Sequence, residues 1–448
     1  MEPNKNLFQN FSKPQLIVLA VIFVVLLIAV GIFTGILPGL KTQETPPPQM
    51  DLVIWGVVDE ENAFSSGLLA YSKLHPNIKV TYVKKDEATY EQELVNALAA
   101  GKGPDIFMAE NSWITKHSDK MAPLPEGKLS LNQLKALFPD VVQTDFVKNN
   151  FIYALPLYID SLALFYNQYI FDNYAVAVAP SDWLSFKNLI PKLRQIDANG
   201  NIVRAAAAIG GSEKNIENAT DILSLLMLQA GAEMTNENYT AANFISSLKG
   251  GQPGLESLDF YTSFANPKDL YYTWNENMAY SSDLFSQGKA VMVFEYQSQL
   301  NDLKNKNPFL KIKVSPMPQP TGREAATNFA NYRGFAVSKY TQYQDWVWDL
   351  VVYLTTDEAV AENYLTVTQH PPALRTLIQK YADDPNIGVF AKQALTAQSW
   401  LKPDAEKTKA IFSQMIQSVV LGKLDSYEAL SQGERAISDL IRQINPVQ

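Results

Sequence analysis

The chain has 448 residues, 47% hydrophobic and 19% charged, a globular composition with material for two or three domain cores. Its net charge of −9 argues against nucleic acid as a partner, because phosphate contacts need clustered Lys and Arg. With no Cys there is no disulfide framework, thiolate nucleophile, Cys metal site or lipidated Cys anchor, and the three His, at 75, 117 and 370, lack metal-ligand spacing.

Residues 1–15 are polar and carry Lys5 and Lys13, and Leu16–Leu37 then runs 22 residues without a charge. About 20 apolar residues span a bilayer, so 16–37 is predicted to be a single-pass transmembrane anchor. The positive-inside rule leaves 1–15 in the cytoplasm. A cleaved signal peptide would have a shorter apolar core and a small-x-small site. Residues 38–50, PGLKTQETPPPQM, read as a Pro-rich linker that, extended, reaches up to ~40 Å.

DLVIWGVV at 51–58 reads as a strand. Asn62 is expected to cap a helix with Phe64, Leu68, Tyr71 and Leu74 on one face, ended by His75-Pro76. Ile78, Val80 and Tyr82 alternate as a strand. Tyr90, Leu94 and Leu98 share a helix face before Gly101, and 105–108 is a third strand. Such a β-α-β-α-β order implies a parallel, right-handed unit. Ligands of such sheets lie beyond the strand carboxyl ends. Those ends carry Asp59-Glu60, Asp86 and Glu110-Asn111-Ser112-Trp113.

The stretch 151–167, FIYALPLYIDSLALFYN, has the composition of buried strand. Pro156 does not fit a central strand, and Asp160 is costly to bury unpaired. Two strand segments joined by a crossing, with Asp160 projecting into a wet cleft, satisfy both. Downstream, 181–196 reads as a helix capped by Ser181. DANGN at 197–201 reads as a turn, lacking the remaining ligands of a calcium loop. Residues 220–230 and 254–264 are helical. FSQGKAVMVFEY at 285–296 ends in an apolar strand with a lone acid, Glu295; GFAVS at 334–338 is another strand. Helices close the chain at 343–354, 407–421 and 426–444.

Seven segments in this order carry a resemblance: VIWGVVDEE (53–61), HPNIKVTYV (75–83), ALAAGKGPDIFMAENSW (97–113), YALPLYIDSLALFYN (153–167), FSQGKAVMVFEY (285–296), GFAVSK (334–339) and LTTDEAV (354–360). Together they resemble the extracellular solute-binding proteins of sugar-uptake ABC transporters, the group that includes maltose-binding protein. The resemblance implies a two-lobed α/β fold closing on a ligand, with lobe 1 at 51–155 and 292–335 and lobe 2 at 156–291 and 336–448. The implied crossings are 153–160, 292–296 and 332–336. By position Asp160 matches a carboxylate that binds sugar hydroxyls, Glu110, Asn111 and Trp113 a contact loop, and Asp59 and Glu60 another cleft segment. Trp274, Glu295, Tyr296, Tyr332 and Trp400 complete the expected ligand set, with Asp160 and Trp113 facing each other across the ligand.

Carboxylates and amides suit sugar hydroxyls, and Trp or Tyr faces suit ring faces. The expectation is a membrane-anchored, monomeric, non-enzymatic bacterial binding component of an ABC importer. It would need no cofactor and deliver a sugar or oligosaccharide to permease subunits. Two alternatives stay open at this stage: a solute-sensing ectodomain, and a carbohydrate-active enzyme using a carboxylate pair drawn from Asp59, Glu60, Glu110, Asp160 and Glu295. GxSxG and GxxxxGK[ST] motifs are absent.

Overall fold

The structure is a computed structural model that describes residues 12–33, 49–245, 250–323 and 325–444. It separates into two units, residues 1–50 and 51–448. In the first, Lys13–Phe33 is a 21-residue helix whose side chains are described no further than Leu27. Among the described residues no helix is long and apolar enough to cross a membrane. Residues 1–11, 34–37 of the expected span and 38–48 of the linker lie outside the described residues.

In chain order the strands of the body begin with β1 (Met50–Gly56), β2 (Ile78–Lys84), β3 (Ile106–Glu110), β4 (Val147–Lys148) and β5 (Phe151–Ile152). There follow β6 (Ala154–Pro156), β7 (Asp160–Ser161), β8 (Ala163–Asn167), β9 (Gln195–Ile196) and β10 (Ile202–Ala207). The last are β11 (Ala290–Glu295), β12 (Ile312–Ser315), β13 (Asn328–Asn331), β14 (Arg333–Val337) and β15 (Ala397–Gln398). One sheet has the order β2-β1-β3-β14-β6, a second β12-β8-β11-β10-β9, and a small third β15-β13-β7.

The first sheet follows from its sequence. Val53 and Trp55 of β1 are less buried than Leu52 and Ile54, as a flanking strand requires, whereas Ile106–Ala109 of β3 are wholly buried between β1 and β14. β1 and β3 are parallel, with Ile54 beside Ile106. The helix Glu87–Ala99 buries Tyr90, Leu94 and Leu98 as expected, and Asp86 caps it by accepting the Ala88 N–H at 2.9 Å. Asn62 is not a cap; it is the first residue of the helix Asn62–Leu74, which buries Ala63, Phe64, Gly67 and Tyr71. Leu74 is left 64% exposed, because the buried stripe is rotated from the predicted one.

The first crossing is where Pro156 and Asp160 put it: the chain leaves the first sheet at β6, passes β7 in the small sheet and enters the second sheet at β8. It returns through β13, which pairs with β7, into β14. Residues 292–296 do not cross. β11 lies wholly inside the second sheet, antiparallel to β8. The expected lobe boundaries in the second half are therefore corrected. β11 and β12 belong to the second sheet, while β14 and the helices Gln344–Thr356 and Glu358–Thr368 pack with the first-sheet elements. A lone acid in an apolar run marked a crossing at Asp160 but only a strand end at Glu295. Hydrophobic pattern does not say which sheet a strand joins. The second-lobe core gathers Phe165, Phe186, Phe264, Trp274 and Phe294. Asp182, not Ser181, caps the helix Trp183–Leu193 by accepting the Ser185 N–H at 2.7 Å. Asp197 accepts the Asn199 and Asn201 N–H groups, the turn expected there.

Candidate functional site

Two cavities of about 1110 and 340 Å³ lie between the lobes, and a third of about 530 Å³, lined from the second lobe alone, shares wall residues with both. Glu87, Asn218, Asn331 and Arg333 border both the first and second; Glu217 and Tyr280 border the second and third; Gln299 borders all three. The first two form one cleft lined from both lobes, at the carboxyl ends of β1 and β3 as parallel topology dictates, and the third branches from it along the second lobe.

On the first-lobe wall, Asp59 follows β1 and is buried. Tyr364 donates its hydroxyl to one Asp59 oxygen at 2.8 Å, and His370 Nε2 lies 3.0 Å from the other. Tyr82 donates to the Asp59 carbonyl at 2.7 Å. The His370 ring stacks on Tyr158, with centroids 4.1 Å apart. Glu60, one residue on, also borders the first cavity and meets Lys84 Nζ, another wall residue, at 2.5 Å. Arg333, at the start of β14, spans Glu110 at 3.0 Å and Glu87 at 2.5 Å. Asn111 donates to Asp145 at 3.0 Å. Burial pushes the Asp145 carboxyl up to about 6, against hydrogen bonds that hold it down.

Asp160 borders the largest cavity, but its carboxylate does not project into water. It is buried and accepts the N–H groups of Ser161 at 2.8 Å and of Gln297 and Ser298 at 3.0 Å each. Burial pushes its carboxyl up to about 6, with these three backbone bonds opposing. It ties the crossing strand to the turn after β11, which explains how an acid persists in an apolar run.

On the second-lobe wall, Tyr296 donates to Asp221 at 2.8 Å, and Lys402 Nζ meets the other Asp221 oxygen at 3.2 Å. Trp400 borders the second cavity with its indole N–H buried and unpartnered. Asn218 sits at φ 60°, a left-handed conformation that Asn tolerates better than most residues. Its amide donates to Glu295 Oε2 at 2.8 Å and to the Phe294 carbonyl at 3.3 Å. Glu295 borders the third cavity, and its Oε1 has no partner. Burial, and then the Glu217 charge, push its carboxyl well above the usual carboxylate range.

Three expected site residues line none of these cavities. Trp113 is buried at the start of the helix Ile114–His117, stacked on Tyr90 at 5.8 Å and edge-on to His117 at 5.1 Å. It does not face Asp160 across the cleft. Trp274 is fully buried in the second-lobe core, its indole N–H donating to Asn215 at 3.1 Å. Tyr332 is fully buried between β13 and β14, edge-on to Phe146 at 5.4 Å. A large ring after a strand end packs inward when an adjacent helix supplies an apolar partner, as Tyr90 does here.

The sequence reading missed Tyr158, Asn218, Asp221, Arg333, His370 and Lys402. Arg333 carries the signal that marked Asp160, a charge inside an apolar run from Tyr332 to Val337. Tyr158 lies within the predicted 153–160 crossing, two residues before Asp160; the other four reach the cleft by long-range packing and have no local signal. Among the described residues no cluster of acids and His suits a metal ion.

Relatives agree with this architecture. A galactooligosaccharide-binding protein of Bacillus subtilis (strain 168) is 22% identical over 406 residues, 88% of this chain and 90% of that protein. The sugar-binding protein of the phytopathogen Xanthomonas citri superposes with a TM-score of 0.73 at 17% identity, covering 88% of this chain and 98% of the other. A cyclic alpha-maltosyl-1,6-maltose binding protein from Arthrobacter globiformis also gives 0.73, at 15% identity over 88% and 99%. Residues 56–361, well over half the chain, match the family described as bacterial extracellular solute-binding protein. This chain belongs to that family.

Proposed function

We propose that this protein is the substrate-binding component of an ABC importer, taking a sugar or oligosaccharide in the cleft and passing it to permease subunits. The observation that carries this reading is a cleft whose walls come from both lobes and expose acids, amides and phenols. The relatives named for galactooligosaccharide, cyclic maltosyl-maltose and sugar binding support the same solute class. Ordinary small-molecule pockets hold ~300–1,000 Å³, so a first cavity of about 1110 Å³ suits more than one sugar ring. A ligand touching both walls favours the closed arrangement. Thermal-shift and calorimetric screens with mono- to tetrasaccharides test the reading. Ligand at 100 times its dissociation constant should add about 2.7 kcal/mol of stability, and no response to any saccharide would refute it.

The body is placed outside the cytoplasm and held to the membrane by the charge-free run 16–37, of which the helix Lys13–Phe33 covers most. Full-length chain in the membrane fraction is expected. A soluble form beginning near residues 36–50 would show cleavage instead. No turnover is expected. A glycosidase needs two carboxyl groups facing one bond, about 5–10 Å apart; of the five candidate acids Asp59 and Asp160 are held through both oxygens, and Glu60, Glu110 and Glu295 border three different cavities. Chromatography of a trisaccharide after long incubation should recover it intact.

A further inference from the structure

Glu295 combines burial with an oxygen that nothing in the fold bonds. Its side chain is 99% buried in residue terms (1% exposed). Asn218, held in a left-handed conformation, takes one carboxyl oxygen and leaves Oε1 buried and unpartnered in a residue that borders the third cavity. A buried polar atom without a partner costs about 1–3 kcal/mol, so a fold that keeps one beside a cavity invites a ligand group there. The cavity around it is acidic. Glu217 and Asp302 also line it, with Tyr280, and Glu213 lies near enough to act on the Glu295 charge. The single basic residue of the wall, Lys306, is engaged by Asp283 at 2.7 Å and the Ser282 hydroxyl at 3.0 Å. Lys409, which acts on Glu217, meets Glu213 at 3.2 Å. A neutral hydroxyl would satisfy one oxygen. A protonated amine brings hydrogen-bond donors and a positive charge directly to Glu295, whose carboxyl Lys306 and Lys409 do not hydrogen-bond, their own ammonium groups being engaged by Asp283 and Glu213.

We propose that this branch of the cleft is a subsite for a protonated amine, and that the solute is an oligosaccharide bearing an amino sugar, held through its ammonium by Glu295 with Glu217 at the rim. The inference rests on the sugar-binding reading above. Glu295 takes the central contact, Asn218 orients it, and the remaining cleft accommodates the neutral rings. Burial pushes the Glu295 carboxyl upward, and an ammonium seated against it favours the ionised form, so binding should draw protons off to solvent.

Calorimetry of the full-length protein with a glucosamine trisaccharide, its fully N-acetylated counterpart and maltotriose tests this, run in two buffers of different ionisation enthalpy. The amine-bearing trisaccharide is expected to bind roughly 10- to 100-fold tighter than either neutral one, the scale of one charged hydrogen bond. Its heat should differ between buffers, reporting the released proton. Glu295→Gln should collapse the preference, and Glu217→Gln, at the rim and safer for folding, should reduce it. If the neutral trisaccharides bind as tightly as the amine, or the preference survives both substitutions, the amine subsite is wrong and the sugar reading stands. If no saccharide binds, the sugar reading and this inference fall together.

Discussion

The two walls of the cleft hold buried carboxylates in opposite ways. On the first-lobe wall Asp59 has each oxygen bonded, by Tyr364 and His370. On the second-lobe wall Glu295 has one oxygen bonded by Asn218 and the other free. A carboxylate held through both oxygens is first of all scaffold: it fixes its partners, and part of its roughly four-site acceptor capacity is already taken. An unsaturated one keeps an interaction in reserve. Proximity to a cavity alone therefore does not make an acid a ligand contact; its remaining hydrogen-bonding capacity decides.

The largest effects should come from the aromatic residues behind each wall. Trp274→Ala, in the second-lobe core, should cost about 3–5 kcal/mol, and Trp113→Ala toward the lower end of that range because it abuts a short helix. Urea unfolding without ligand measures both. If Trp113→Ala leaves unliganded stability intact while removing sugar binding, its ring serves the ligand and the packing account of the first wall fails.

The saturated and unsaturated acids should separate next. Asp59→Ala strands the Tyr364 hydroxyl and the His370 nitrogen and should cost about 2–4 kcal/mol. Glu295→Gln keeps a polar group for Asn218 and removes no bonded charge, so its effect on unliganded stability should stay within about 1 kcal/mol. Equal losses in the two variants would erase the contrast between the walls.

Acidity gives a third test. Asp145 and Asp160 are pushed up to about 6 in the folded chain, against about 4 for an unfolded Asp. Between these values the folded state binds more protons, so their joint contribution to stability rises as pH falls from about 6 to about 4. Glu91 works the other way: His117 first, and then Lys116, hold it near 2, so its contribution is lost as pH falls from about 4.5 toward 2. Melting curves from pH 7 to 3 should show Asp160→Asn flattening the upper part of this profile and Glu91→Gln the lower. An unchanged profile in Asp160→Asn would mean that its three backbone bonds cancel its burial.

The smallest effect should lie beside the first. Glu60 pairs with Lys84 at the solvent-exposed edge of the first cavity, with side chains 70% and 41% exposed. Lys84→Ala should therefore change stability by no more than about 0.5 kcal/mol. A larger loss would mean that the two adjacent acids, Asp59 and Glu60, differ less than their burial implies.

Much of the first lobe was legible because its information is local. The alternation of Ile78, Val80 and Tyr82, the spacing of Tyr90, Leu94 and Leu98, and the acids after each strand come from the periods of strands and helices. Pro156 and Asp160 located the first crossing because each violates the pattern around it. Membership of β11 in the second sheet was not legible, since a buried strand reads the same in either lobe.

What the sequence alone determined is the order of elements, the acidic character of the cleft and the first passage between lobes. Each follows from backbone periodicity and from the cost of burying charge. Only tertiary structure decided which of those acids remain free. Asp59 is held through both oxygens by residues 364 and 370, and Asp160 by the N–H groups of 297 and 298 as well as 161. Hydrogen-bonding capacity at a site is spent by partners more than a hundred residues away, and no local pattern encodes them.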